Sequence, residues 1–404
     1  MQPSLSNPTL SNLTLDTGSI ANSVQESPIR AIANYGMTLP DVVPLWFGEA
    51  DIPTPAFIRE AAAESLARFE TRYTPNTGLP TLRAAIARYQ NDLYGSTFDH
   101  DNIVVTVSGT NAVMLAAQTF LSPGDKVVAI TPIFPTLTAI PKLLGAEVVE
   151  VPLAQDGNSF RLDLDALFSA ARGARAIIIN SPANPTGWTA SIDEIRAILG
   201  FARQHGIWIL SDEVYARHVY GAAAAPSFCS DITEDDRVIV CNSFSKAWCM
   251  TGWRLGWVTL PKSLVPTVRK LIEFNVSCAP AFVQAGGLAA VEKGEKFLAS
   301  CMARFAEARD LVSATLSNLP GVTLYDMDAT FYAFLKIDGL PHDSKPYVLR
   351  LIEEARLGVA PGEGFGAGGE GHLRLCYGVA PEILAPALQR FRDFLISGEG
   401  RSRS

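Results

Sequence analysis

Cysteine is scarce in this chain and follows no pattern. Six cysteines are spread over 404 residues, at 229, 241, 249, 278, 301 and 376, with no CxxC pair and only five histidines in the whole sequence. Neither a disulfide framework nor a zinc site is drawn by that spacing, and reduced, buried thiols are expected. Charge is thin too, at 18% of residues, and basic residues are in the minority: 33 Lys and Arg against 41 Asp and Glu, a formal net charge of −8. A nucleic-acid partner is therefore not expected. No apolar run approaches the roughly 18 residues that suggest a bilayer-spanning helix, so no membrane span is expected. The first 25 or so residues lack the basic start and continuous apolar core of a signal peptide, and the cytoplasm is the expected compartment.

What the chain has is length and apolar content. With 48% apolar residues over 404 positions, it suits one large and one smaller domain better than a single core. Helical spacing marks 53–68, 81–93, 111–120, 137–144 and 192–205, and one long helical stretch over 281–317. Between them lie strand-length apolar runs at 103–107, 126–131, 147–152, 176–180, 206–210, 237–242 and 255–260. Further strands are expected at 332–337 and 372–377. Continuous apolar runs alternating with helices predict an α/β fold around a mainly parallel sheet buried on both faces.

In such sheets ligands bind beyond the carboxyl ends of the strands, and polar residues gather there. Ser181-Pro182-Ala183-Asn184-Pro185-Thr186-Gly187 follows one run, Ser211-Asp212-Glu213-Val214-Tyr215 the next, and Ser243-Phe244-Ser245-Lys246 the third. Each residue alone has a plainer reading: Asn184 as a turn starter, Asp212 as a helix cap, Tyr215 as core, Lys246 as a solvated loop residue. Together they deliver Asn184, Asp212 and Lys246 to one rim. An amine beside a buried strand loses part of its basicity, which is what covalent chemistry on a carbonyl requires. Ser243, three residues before Lys246, and Arg254, eight after, add a hydroxyl and a guanidinium. That set suits a phosphorylated aldehyde, pyridoxal 5'-phosphate.

The succession Asn-Pro-Thr-Gly, Asp-Glu-x-Tyr, Ser-x-Ser-Lys and Gly-Trp-Arg-Leu-Gly resembles the active-site blocks of class I/II aminotransferases, the fold-type-I pyridoxal-phosphate enzymes. The resemblance covers about 28–392. It implies that Lys246 carries the cofactor as a Schiff base and that Asp212 pairs with the ring nitrogen. Asn184 and Tyr215 would bond the ring's phenolic oxygen. Gly109 and Thr110, in the turn Ser108-Gly109-Thr110-Asn111, would hold the phosphate with Ser243 and Arg254. Phe134 matches the aromatic that stacks on the ring, where many relatives carry Tyr or Trp. Tyr73 matches a tyrosine that reaches the phosphate of a neighbouring subunit's cofactor, which implies a homodimer with shared sites. For the substrate, Arg374 would clamp the α-carboxylate, with Asn184, Gly48 and Phe47 around it.

Composition reads the ends as disordered tails, over 1–27 and 397–404; between them the family implies an N-terminal segment over 28–50 packing with the small domain, a large cofactor-binding domain over 51–290 and a small C-terminal α/β domain over 291–396. The implied reaction moves an amino group from an amino acid to a 2-oxo acid. A carbon–sulfur β-lyase, a decarboxylase or a cyclopropane-type synthase on the same scaffold is the alternative, because the cofactor residues do not separate them. A ligand-sensing domain of a transcription regulator is disfavoured, since no basic helix-turn-helix precedes the matching region. Relatives that favour acidic substrates often place a lysine where Thr110 stands. Neutral or aromatic amino acids are therefore expected as substrates, with glutamate served by some other cation such as Arg30.

Overall fold

The computed structural model describes residues 20–397. The two expected tails lie largely outside the described residues; within the first, Ile20–Ser23 forms one 3-10 turn.

Seven strands form the main sheet: β1 (Ile103–Thr106), β2 (Lys126–Thr131), β3 (Glu147–Pro152), β4 (Ala176–Asn180), β5 (Trp208–Asp212), β6 (Val238–Ser243) and β7 (Gly256–Thr259). Their order is β1-β7-β6-β5-β4-β2-β3. β7 runs antiparallel to both neighbours, and the pairs β6–β5, β5–β4, β4–β2 and β2–β3 are parallel. The run Ile177-Ile178-Ile179 explains the burial on both faces. Ile177 and Ile179 pack with Ile195, Ile198 and Leu199 of the helix Ile192–His205, while Ile178 joins Ala112, Val113 and Leu115 of the helix Gly109–Phe120 on the other side. Strand alternation sends successive side chains to opposite faces, and each buried isoleucine contributes about 1.5–3 kcal/mol.

A second sheet of four antiparallel strands has the order β8-β9-β11-β10, with β8 (Val322–Leu324), β9 (Tyr332–Ile337), β10 (Ala360–Pro361) and β11 (His372–Cys376). The helices Glu295–Leu316, Lys345–Ala355 and Pro381–Ile396 cover it, with Phe305, Leu351, Leu373 and Phe391 in its core. The short strand Val43–Pro44 pairs with Leu357–Gly358, which fixes the start of the segment carrying Gly48 against this second body.

Three expectations shift. The strand expected at 206–210 begins at Trp208, because Gly206 caps the helix Ile192–His205 in the left-handed region at φ 67°. That helix is opened by a reciprocal Ser191–Glu194 capping box, a device worth about 1 kcal/mol. The long helix expected over 281–317 is two helices, Ala281–Lys293 and Glu295–Leu316, parted at Gly294, the residue type with the lowest ordinary helix propensity. All six cysteines are free, but Cys249 and Cys278 keep some surface. Among the described residues no helix is long and apolar enough to cross a membrane.

Candidate active site

The register of the parallel strands builds the rim. Asn180 at the end of β4 pairs with Asp212 at the end of β5, and Asp212 pairs with Cys241 in β6. Two residues beyond Cys241, Ser243 caps a single helical turn, Phe244–Ala247, by accepting the Ser245 N–H at 3.1 Å, and that turn lifts Lys246 above the strand ends.

Lys246 borders a cavity of about 470 Å³, whose lining also includes Gly48, Phe47, Gly109, Thr110, Phe134, Asn184, Asp212, Tyr215, Ser243, Arg254 and Arg374. Every site residue named from the sequence is there except Tyr73. That tyrosine is 90% exposed and lines no part of the cavity within one chain. A larger hollow of about 690 Å³ adjoins it and shares Gly48, Glu49, Ser245, Lys246 and Thr251 with the first.

The electrostatics are those of a desolvated site. Burial pulls the Lys246 amine down to about 8, with the Arg374 charge adding to the fall. Its Nζ donates to the Gly48 carbonyl at 2.5 Å. Burial pushes the Asp212 carboxyl up to about 7, and among the described residues its carboxylate accepts one hydrogen bond, from the Val214 N–H at 3.2 Å. Burial likewise raises the Tyr215 phenol. Gly48 has no room for a side chain: a Cβ there would overlap the Tyr332 hydroxyl and lie 3.2 Å from that of Tyr215.

The helix Gly109–Phe120 points its start at the same cavity. Ser108 caps it by accepting the Asn111 N–H at 3.0 Å. A Cβ on Gly109 would lie 3.0 Å from the Ser243 Cβ, so the helix start and the end of β6 are in close contact. A Cβ on Gly256 would come within 2.8 Å of the Gly109 nitrogen, which is why β7 opens with glycine. Arg254 adopts the left-handed region at φ 54° and donates to the Thr251 carbonyl at 2.6 Å. Backbone N–H groups, a hydroxyl and a guanidinium thus surround one end of the cavity.

At the other end Arg374 projects from β11. The alternation of that strand allowed either solvent or cleft; the side chain is 2% exposed and lines the cleft. It donates to Asn184 Oδ1 at 2.9 Å and to the Trp46 carbonyl, while its Nε has no partner among the described residues. The sequence reading missed Tyr332 at the start of β9. Its hydroxyl shares a 2.5 Å hydrogen bond with that of Tyr215, and the Arg374 guanidinium sits 4.5 Å from its ring centre. Only the strand pattern marked that position, and a strand pattern does not tell a core tyrosine from a cavity wall.

A mainly parallel seven-stranded sheet with a weakly basic lysine and a buried carboxylate on neighbouring strand ends defines the α/β transferases of fold type I. Comparison with known proteins narrows the class. The profile of the family "Aminotransferase class I and II" matches residues 40–391. An aspartate aminotransferase of Pyrococcus horikoshii is 33% identical over 92% of this chain and 95% of its own length. An aromatic-amino-acid aminotransferase of Thermococcus litoralis is 33% identical over 92% of this chain and 96% of its own. The solved alanine aminotransferase of Pyrococcus furiosus superposes with a TM-score of 0.87 at 29% identity, covering 94% of this chain and 99% of that one. The chain belongs to the class I and II aminotransferases. It is an enzyme that moves an amino group from an amino acid to a 2-oxo acid. These relatives are all aminotransferases, so the lyase and decarboxylase alternatives stand without support.

Proposed function

We propose that this aminotransferase works through pyridoxal 5'-phosphate held on Lys246. The observation that carries the reading is the pair of buried groups at the strand ends, an amine pulled down to about 8 and a carboxyl pushed up to about 7. The residues fit the cofactor. Asp212, with one backbone donor, lacks the partner that a cationic ring nitrogen would be. The N–H groups of Gly109 and Thr110, the Ser243 hydroxyl and Arg254 are a donor set for a phosphate. Phe134, 36% exposed at the cavity, offers an apolar ring face. When bound, the cofactor supplies an electron-accepting ring that stabilises negative charge at the substrate's α-carbon.

The chain's own groups do the rest. The Lys246 amine, with its pKa near the working pH, takes the proton from the α-carbon and returns it to the carbon that receives the amino group. The Gly48 carbonyl accepts from that amine and fixes its position. Asp212 would pair with the ring nitrogen of the bound cofactor and favour its protonated form, and Asn184 and Tyr215 would hold the phenolic oxygen. Arg374, oriented by Asn184 and the Trp46 carbonyl, holds the α-carboxylate over Gly48 and Phe47. Purified protein is expected to be yellow, and borohydride to fix the cofactor on Lys246, read by peptide mass mapping. A colourless protein that stays inactive with added pyridoxal phosphate overturns the assignment.

We read the enzyme as a cytoplasmic homodimer, with a large cofactor domain over 51–290, a small domain over 291–396 and an N-terminal segment over 28–50 packing with the small domain. Support for the dimer comes from large aromatics that one chain leaves exposed: Tyr73 is 90% exposed, Phe69 85% and Phe274 90%. Asn275, next to Phe274, bonds Asn111 at 3.3 Å, so this surface reaches the start of the phosphate-binding helix. Patches of this kind mark surfaces that a partner covers. Mixing inactive Tyr73→Ala and Lys246→Ala chains is expected to restore one intact site per mixed dimer. No recovery despite verified subunit exchange counts against Tyr73 acting across the interface.

A further inference from the structure

We propose that Cys249 and Cys301 are a redox-sensitive pair: a peroxide closes them into a disulfide that ties the lysine-bearing turn to the second sheet and slows turnover, and a thiol reductant reopens it. The inference goes beyond the aminotransferase reading, which uses neither cysteine. Cys249 lies just past Lys246, and its N–H donates to the Lys246 carbonyl at 3.3 Å. It lines the larger hollow beside Lys246, through which a small oxidant can reach it. Cys301 projects from the helix Glu295–Leu316, which covers the second sheet. Cys249 packs against the buried cluster that holds Cys301, Phe305 and Phe331, and the two thiols share a hydrogen bond. Cys376, in the same cluster, is engaged elsewhere, donating to the Glu49 carbonyl at 3.7 Å.

The surroundings favour oxidation. In the shared bond Cys249 donates and Cys301 accepts, which pulls the Cys301 thiol down and pushes the Cys249 thiol up, while burial disfavours both thiolates. Arg304, one turn further along the helix and paired with Asp51, favours the thiolate at each. A thiolate beside a guanidinium is the reactive form. The Cys301 thiolate attacks one peroxide oxygen, the O–O bond breaks, and hydroxide leaves and takes the Cys249 proton as water. The Cys249 thiolate then attacks the sulfenic sulfur of Cys301. The S–S bond forms, the S–O bond breaks, and the second hydroxide becomes water with the proton that Cys301 released. Two thiols are oxidised and one peroxide is reduced.

The position explains why closure would be felt. Cys249 holds the left-handed region at φ 52°, uncommon for a residue with a side chain, and its carbonyl accepts from the Thr54 hydroxyl at 2.6 Å. The chain from Lys246 to Arg254 thus turns at Cys249, so drawing its sulfur onto Cys301 displaces both. A misplacement of about 1 Å can cost roughly a hundredfold in rate.

The test treats the full-length, cofactor-loaded enzyme with hydrogen peroxide, blocks remaining thiols with iodoacetamide and maps the peptides by mass. A pair joined through Cys249 and Cys301 is expected, with kcat for an amino donor lowered about tenfold to a hundredfold and restored by dithiothreitol. Cys249→Ser and Cys301→Ala should match the reduced wild type in turnover and lose the sensitivity to peroxide. Either variant alone suffices, since each removes one half of the bond. The absence of a joined peptide overturns the inference, as does a joined peptide with unchanged turnover. Inactivation that persists in these variants overturns it too, by placing the oxidised group elsewhere.

Discussion

Lys246→Ala is expected to lower kcat by roughly 10⁴-fold, the upper end of what a positioned proton-transfer group supplies. The amine is enclosed where a proton must move between two carbons, and among the described residues lining the cavity the other amine-like groups are guanidiniums, which stay protonated. Lys246→Arg should therefore fail as well. Single-turnover mixing with an amino donor, followed by chromatography of the 2-oxo product, measures the loss. A separate readout shows that the variant is folded. The folded-state pKa of about 8 lies below the ordinary value of 10.5. Between the two the unfolded chain holds the proton and the folded chain does not, so stability rises with pH across that window, and below pH 8 the folded protein bears a buried ammonium. Removing the amine relieves up to about 3 kcal/mol at neutral pH in cofactor-free protein. That figure is an upper bound, because the lysine keeps some surface on the cavity. Cofactor-free Lys246→Ala should thus melt at or above the cofactor-free wild type near pH 7, while losing nearly all turnover. A variant with near-normal turnover would exclude Lys246 from the chemistry.

The rim of the main sheet was legible because its information is local. Each functional residue there follows a strand-length apolar run within a few positions, and parallel strands in register carry Asn184, Asp212 and Lys246 to the same side. Arg374 was half legible: strand alternation put it opposite a core face but could not say whether that side met water or the cleft. Tyr332 was not legible. Its meaning comes from Tyr215, 117 positions away, and from a glycine at 48 that leaves room for both hydroxyls. Arg30 was named only as one cation that could serve; its place over Phe47 depends on how an N-terminal helix packs on the second body. The misplaced start of β5 and the split of the long helix at Gly294 have a common cause. In both, a glycine sets a boundary that hydrophobic periodicity runs across. Tyr73 is a different case, since one chain brings it to no site at all.

Asp212→Asn should cripple turnover far more than it weakens the hold on the cofactor. The substitution keeps the shape and the Val214 N–H contact but removes the charge. A buried ion pair that loses one partner costs about 3–5 kcal/mol, which at about 1.4 kcal/mol per decade is roughly a 10²–10⁴-fold fall in kcat. The phosphate donors around Gly109, Ser243 and Arg254 are untouched, so the cofactor's dissociation constant should rise by less than that factor. The pH dependence supplies a sharper mark. In the cofactor-free protein the Asp212 carboxyl is held up at about 7 against an ordinary value of 3.8, because burial disfavours its charge. Below that pH it is a neutral acid with nothing to offer a cationic ring nitrogen. Above it, it is a buried anion held by one backbone N–H and the more distant Lys246 charge, and pairing with a cationic ring nitrogen would relieve the cost. Cofactor affinity in the wild type should therefore tighten as pH rises through about 7. The Lys246 amine adds a second rise nearer 8, since only its neutral form attacks an aldehyde. In Asp212→Asn the lower of these two transitions should vanish while the upper one stays. Titrating pyridoxal phosphate into both cofactor-free proteins across neutral pH separates them by the cofactor's absorbance. If the variant keeps both transitions and most of its turnover, Asp212 does not govern the ring nitrogen.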